Sequence, residues 1–204
     1  MQIHKILLNT KAEGPGIRAC IWVQGCHHGC KGCFAKHLWD FEAGKTISVD
    51  EIIDSLKNVI AQIDGITFLG GEPMEQAEEL AQIAKYVREA GKNVITFTGY
   101  VYEQLLTLNK PGVKELLECT DLLADGPFVE ELINYDRPML GSANQRFIYL
   151  TDAINPELMD NYKNSFELRI DSNGKVQVNG MGDLKKLEKY LDKIDGGYHE
   201  ITNI

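Results

Sequence analysis

The chain has no run approaching the roughly 18 consecutive apolar residues that a membrane helix needs, so no helical span is expected. It has no basic stripe either. Lys and Arg number 21 against 30 Asp and Glu, for a formal net charge of −9. An acidic chain without clustered cations suits neither nucleic acid nor an anionic membrane. The opening Met1-Gln2-Ile3-His4-Lys5 lacks the charged-then-apolar order of a secretory leader, which makes the cytoplasm the expected setting. No low-complexity tract, internal repeat or long run of one charge is visible. No Walker-type phosphate loop or nucleophile–base pair stands out.

The 204 residues suit one domain with room for a small appendage, and 44% hydrophobic residues allow a sizeable core. Residues 3–8 and 19–24 read as short apolar strands around the turn sequence Glu13-Gly14-Pro15-Gly16. Ser48-x-x-Glu51 is a capping-box pattern, and Ile52, Leu56, Val59, Ile60 and Ile63 follow at helical spacing. Residues 66–69 read as a buried strand ending in Gly70-Gly71-Glu72-Pro73. A helix is expected over 74–90, with Ala77, Leu80, Ala81, Ala84 and Val87 on one face. A strand over 94–98, helices near 101–108 and 113–119, and strands over 121–124 and 147–150 complete the series. This alternation implies parallel strands joined by crossover helices. With too few units for eight strands, the expected fold is α/β, a partial (open) parallel β/α barrel. Beyond about 152 the character changes. Residues 166–170 and 175–178 flank Ser172-Asn173-Gly174, a hairpin signal, and Leu184, Leu187, Tyr190 and Leu191 suggest a closing helix. The expected division is a core over 1–151 and an appendage over 152–204.

Five cysteines in a reducing compartment point to metal or redox chemistry rather than structural disulfides. Cys26, Cys30 and Cys33 put three soft ligands within eight residues of a glycine-bearing loop. Thiolates suit iron–sulfur clusters and zinc. A structural zinc site wants a fourth ligand, and His27, His28 and His37 lie close by, so spacing alone leaves zinc open. Three thiolates on a cubane would leave one iron without a protein ligand. Cys20, inside a strand pattern, and Cys119, at a helix end, read as packing residues, as do Trp22 and Trp39.

Cys-x3-Cys-x2-Cys followed by Phe34 resembles the radical S-adenosylmethionine superfamily, and Gly70-Gly71-Glu72-Pro73 after a strand looks like its methionine-binding motif. Gly14-Pro15-Gly16-x-Arg18 and Gln24-Gly25-Cys26 resemble the opening of glycyl-radical-enzyme activases. Asp125-Gly126-Pro127-Phe128 and Gly141-Ser142-x-Asn144-Gln145-Arg146 are similar to the anaerobic ribonucleotide reductase branch. The resemblance covers about residues 6–150. With no second cysteine set, an inserted ferredoxin-like domain is not expected.

The resemblance implies a radical SAM fold with one 4Fe-4S cluster on Cys26, Cys30 and Cys33. The cluster's open iron would hold S-adenosylmethionine. Reductive cleavage would give a 5′-deoxyadenosyl radical that takes a Cα hydrogen from a glycine on a partner, the anaerobic ribonucleotide reductase. A flavodoxin or ferredoxin would supply the electron. Cluster and cofactor carry this chemistry, so no side chain is expected as a catalytic residue. Gly70 and Gly71 would let backbone approach the methionine. Glu72 would accept from its ammonium, with a solvated loop carboxylate as the plain alternative. Phe34 is placed near the adenine or in ordinary packing. Thr96 and Thr98, on alternate strand positions, share a side and could reach the ribose or carboxylate, or simply be β-favouring residues. Asn144, with Gln145 and Arg146, is placed near adenosine or the partner loop, or on a surface turn. Arg18 could pair with a carboxylate or phosphate near the cluster, or form a surface ion pair. His27 and His28 are read as shielding the cluster rather than ligating it. Two other classes stay open: a radical SAM enzyme acting on a small molecule or peptide, and a non-catalytic zinc or iron–sulfur module.

Overall fold

Side-chain alternation on four short strands builds the centre of the protein. In the structure, a computed structural model that describes residues 1–174, 176–182 and 187, β2 (Arg18–Val23), β4 (Gly65–Gly70), β5 (Asn93–Phe97) and β6 (Leu122–Asp125) pair in parallel in that order. Ala19, Ile21, Val23, Ile66, Phe68, Val94 and Leu123 point to one face and join the main core cluster. Cys20, Trp22, Leu69, Ile95, Phe97 and Leu122 point to the other face, into two smaller clusters. That period-two split follows from the pleat.

Helices α1 (Val49–Lys57), α2 (Ala77–Glu89) and α4 (Val113–Cys119) cover the first face, each burying one stripe: Ile52 and Leu56, Leu80 with Ala84 and Val87, and Leu116 with Val113. Ser48 caps α1 as its pattern indicates. Its side chain accepts from the Glu51 N–H, and Glu51 accepts from the Ser48 N–H. This helix is shorter than its apolar spacing suggests. It ends at Lys57, and Ile60–Gln62 forms a separate 3-10 turn. Residues 73–76 likewise form a 3-10 turn before α2, and α3 shrinks to Tyr102–Leu105.

The sheet has seven strands in the order β3-β1-β2-β4-β5-β6-β7 and is not closed. Its flanks are antiparallel: β1 (Gln2–Thr10) with β2 and with β3 (Lys45–Thr46), and β7 (Arg146–Tyr149) with β6. The architecture is therefore mixed α/β with a mostly parallel centre. Helix α5 (Pro156–Asn161) seats Met159 against Ile95 and Leu122 on the second face. Beyond it, β8 (Phe166–Ile170) and β9 (Val176–Gly180) pair antiparallel as a separate two-stranded sheet. The closing helix expected around Leu184, Tyr190 and Leu191 lies outside the described residues, apart from Leu187, which is buried against Val176 and Val178. Among the described residues no helix is long and apolar enough to cross a membrane.

Candidate functional site

Parallel strands bring their carboxyl ends to one edge of a sheet, and ligands gather outside that edge. Here β2 runs into the cysteine loop, β4 into Gly70-Gly71-Glu72, β5 into Thr98-Gly99 and β6 into Gly126-Pro127-Phe128. All four segments border one cavity of about 250 Å³. Cys26, Cys30, Cys33, Phe34, Gly70, Gly71, Glu72 and Thr98 line it, so residues 72 positions apart in sequence meet at one place.

The cysteine loop is closed at its base by buried Gln24, whose amide donates to the carbonyls of His37 (3.0 Å) and Asp40 (2.8 Å). The Gly25 N–H donates to Leu38 O at 2.8 Å. Backbone groups reach the thiols: the His28 N–H bonds Cys26, and Cys30 is bonded by the Phe128 N–H and by its own N–H. Burial nonetheless pushes the Cys26 thiol up to about 11, with Glu72 and the neighbouring cysteines adding to the effect, and burial raises Cys30 as well.

Glu72 is the hub. It is 1% exposed and fully engaged. One oxygen accepts from the Met74 N–H (2.9 Å) and the Thr98 hydroxyl (2.9 Å). The other accepts from the Gly99 N–H (2.8 Å) and pairs with His28 Nε2 (2.9 Å). His28 thus ties the cysteine loop to the glycine loop, a link that its position in the sequence gives no way to foresee. The two loops also touch through backbone, since the Glu72 N–H donates to Gly25 O at 2.8 Å. A Cβ on Gly71 would lie 2.2 Å from that same carbonyl. The glycine is required by contact of the chain with itself, whatever a methionine moiety would ask of it.

Other expected residues fall elsewhere. Thr96 does not border the cavity: its hydroxyl meets that of Thr120 at 2.8 Å on the α4 side of the sheet. Thr98 escapes this alternation because β5 ends at Phe97. Arg18 sits at the start of β2, a strand length from the cysteines. It is fully buried and donates to Thr67 Oγ1 (2.7 Å), Ile66 O (2.7 Å) and Pro15 O (3.3 Å). Among the described residues no carboxylate bonds it, and burial lowers it to about 10. Asn144 lies behind the rim, donating to Pro127 O at 2.8 Å, while its Oδ1 is buried without a partner. Its neighbour Gln145 lines the cavity, donating to Gly126 O and accepting from the Gly141 and Ser142 N–H groups. Arg146 instead pairs with Asp125 and Glu103. Phe34, 43% exposed, stands 6.1 Å from both Phe128 and Tyr135, an aromatic group at the mouth. The far wall was not legible as part of a site. It comprises Glu13 from the β1–β2 loop and Phe166, Val178, Gly180 and Met181 from the C-terminal segment.

The donor set fits an iron–sulfur cluster. Cys20 is buried inside β2 and Cys119 closes α4, so three thiols face the cavity. Among the described residues no three His, Cys, Asp or Glu side chains converge on one ion. A cubane takes thiolate ligands one per iron, and Cys26, Cys30 and Cys33 all border the one cavity.

Residues 12–148 match the family model described as a 4Fe-4S single cluster domain, which supports a 4Fe-4S cluster in this protein. The chain is also similar to anaerobic ribonucleoside-triphosphate reductase-activating proteins. The Vibrio cholerae protein is 32% identical over 152 residues, 71% of this chain and 96% of that protein. The Haemophilus influenzae protein is 32% identical over 65% of this chain and 88% of its own length. The Enterobacteria phage T4 protein is 29% identical over 70% and 90% respectively. With its three thiols at the carboxyl edge of a parallel sheet, the chain belongs to the 4Fe-4S single cluster domain family and, within it, to the anaerobic ribonucleoside-triphosphate reductase-activating proteins.

Proposed function

We propose that this protein places a glycyl radical on a partner anaerobic ribonucleotide reductase, using a 4Fe-4S cluster held by Cys26, Cys30 and Cys33 together with S-adenosylmethionine. The observation that carries this reading is the meeting of the three thiols with the Gly70-Gly71-Glu72 loop in one cavity at the strand ends. We read the open sheet as a partial radical SAM barrel, with residues 1–151 as its core and 152–204 as an added unit. When bound, the cluster would supply one electron, drawn from a flavodoxin or ferredoxin, to split the C5′–S bond of the cofactor.

The chain's own residues would bind and orient. Glu72 is held by the Met74 and Gly99 N–H groups and the Thr98 hydroxyl, and a methionine ammonium would take the place of its fourth contact, His28. Thr98 holds Glu72 rather than the cofactor. Phe34, with Phe128 and Tyr135, offers aromatic faces to a purine. Asn144 Oδ1, an unsatisfied acceptor behind Gly126, would serve a donor entering from the rim. Thr96 takes no part.

The test is an anaerobic assay with the reductase. Brown protein carrying roughly four irons, release of 5′-deoxyadenosine and a glycyl radical by electron paramagnetic resonance are expected. A colourless protein that releases no 5′-deoxyadenosine would refute the proposal. One observation favours a second reading, an enzyme for a small molecule: the C-terminal segment contributes to the lining of the cavity. In that case 5′-deoxyadenosine would form with no radical on the reductase.

A further inference from the structure

The second face of the sheet is covered by a segment that the 4Fe-4S domain, residues 12–148, does not include. Up to Asn164 it is tied to the sheet and its loops. Met159 packs into the sheet cluster, and Tyr162 donates to Lys11 O and accepts from the Gly14 N–H. Asn164 donates to the carbonyls of Tyr135 and Arg137 and accepts from the Met139 N–H. From Phe166 onward the attachment changes character. Val176, Val178, Leu187 and Phe166 cluster with one another, apart from the three clusters of the sheet.

Polar bonds to residues 9–13 hold this hairpin down. Glu167 accepts from the Thr10 hydroxyl (2.6 Å) and the Lys11 N–H (2.8 Å), and Arg169 donates to Asn9. Asn179 donates to Thr10 Oγ1 (2.9 Å) and Glu13 Oε1 (3.1 Å), and the Gly180 N–H bonds Glu13. The fit is incomplete, since Asn179 Oδ1 is buried without a partner. Gly180 lies flat on the loop: a Cβ there would stand 2.9 Å from the Ala12 Cβ and 2.0 Å from Ser165 O. A glycine-bearing strand therefore lines the same cavity as Cys26, Cys30 and Cys33.

Space decides what this arrangement implies. The cavity between cysteines and hairpin holds about 250 Å³, while a site for a single small molecule takes roughly 300–1,000 Å³. A peptide brought to this cavity beside a cofactor would meet the hairpin, because Phe166, Val178, Gly180 and Met181 share the lining with the three cysteines. We propose that the β8–β9 hairpin is a removable cover in which Asn179-Gly180-Met181 occupies the seat that the partner's glycine-bearing segment must take, hinging after Asn164. The inference rests on the activase reading. The incoming segment would be extended and small, as β9 is, and would replace its bonds to residues 9–13.

The experiment uses the full-length, cluster-loaded protein with and without the anaerobic reductase. Hydrogen exchange is followed over residues 176–182, and reductase affinity is measured for the native chain and for Asn179→Ala. A closed cover lowers apparent affinity by its closed fraction. Removing the two Asn179 bonds should therefore tighten binding roughly three- to tenfold, and complex formation should speed exchange at residues 176–182. Unchanged or slower exchange in a complex that forms, or an Asn179→Ala affinity no better than native, overturns the cover and leaves the activase reading standing. A chain that neither binds the reductase nor yields a glycyl radical overturns the reading itself.

Discussion

Glu72 shows how much one carboxylate organises. Its four partners come from the cysteine loop, its own loop and the end of β5. Glu72→Gln keeps the size but replaces an acceptor with a donor facing the Gly99 N–H or the Thr98 hydroxyl. Hydrogen bonds to charged groups contribute about 1.5–3 kcal/mol. S-adenosylmethionine affinity, measured by equilibrium binding to the cluster-loaded protein, should fall at least roughly tenfold. Thr96→Val provides the contrast. It removes a buried hydroxyl bonded to Thr120, which keeps its bond to Leu116 O. Chemical denaturation should show a loss of about 1 kcal/mol, with cofactor affinity unchanged. Reading Thr96 and Thr98 as one face applied a strand rule one residue past the end of the strand.

The cysteine loop and the glycine loop act as one element because their backbones are in contact. Gly71→Ala would put a methyl group against Gly25 O, where only backbone can yield. The expected result is a displaced cysteine loop. Iron per chain after anaerobic reconstitution should drop by at least half, and the unfolding midpoint should fall, by an amount typical of overpacking, about 1–3 kcal/mol. The helical elements were legible because each depends on neighbours in sequence: the Ser48–Glu51 cap and the stripe of α2 are local. The early stop of α1 was less so. Val59 and Ile60 continue the apolar spacing, yet both sit only partly buried beside the core after the helix has ended.

At the scale of the whole molecule, the buried acid Glu13 links segments far apart in sequence. Glu13 is held between the β1–β2 loop and β9, and burial raises it from 4.5 to about 7, while the bonds from Asn179 and Gly180 and the charge of Lys5 work in the opposite direction and Glu167 adds to the rise. The raised value sets the sign. Below about 4.5 the folded and unfolded chains are both protonated here, and the full stability is present. As pH rises towards 7 the unfolded chain ionises first, so the folded form loses ground until Glu13 itself ionises. Unfolding free energy measured across pH 4.5–7 should therefore carry a falling contribution that Glu13→Gln removes. The same range should loosen the hairpin, read as faster exchange at Gly180.

The sequence by itself determined the cluster loop, the glycine loop and the run of parallel strands that presents them, because each is written in short-range spacing: Cys26 to Cys33, Gly70 to Pro73, and apolar periods of two and three to four residues. Only the tertiary structure decided what stands opposite. Glu13 reads as part of a turn, and Val178 and Gly180 look like an ordinary hairpin strand. They become lining residues because the chain brings β9 beside loops of a sheet whose strands span Gln2 to Tyr149. Local patterns specify which groups can hold a cluster. The meeting of distant segments sets the size and wall of the cavity around it, and that depends on packing that no short window of sequence contains.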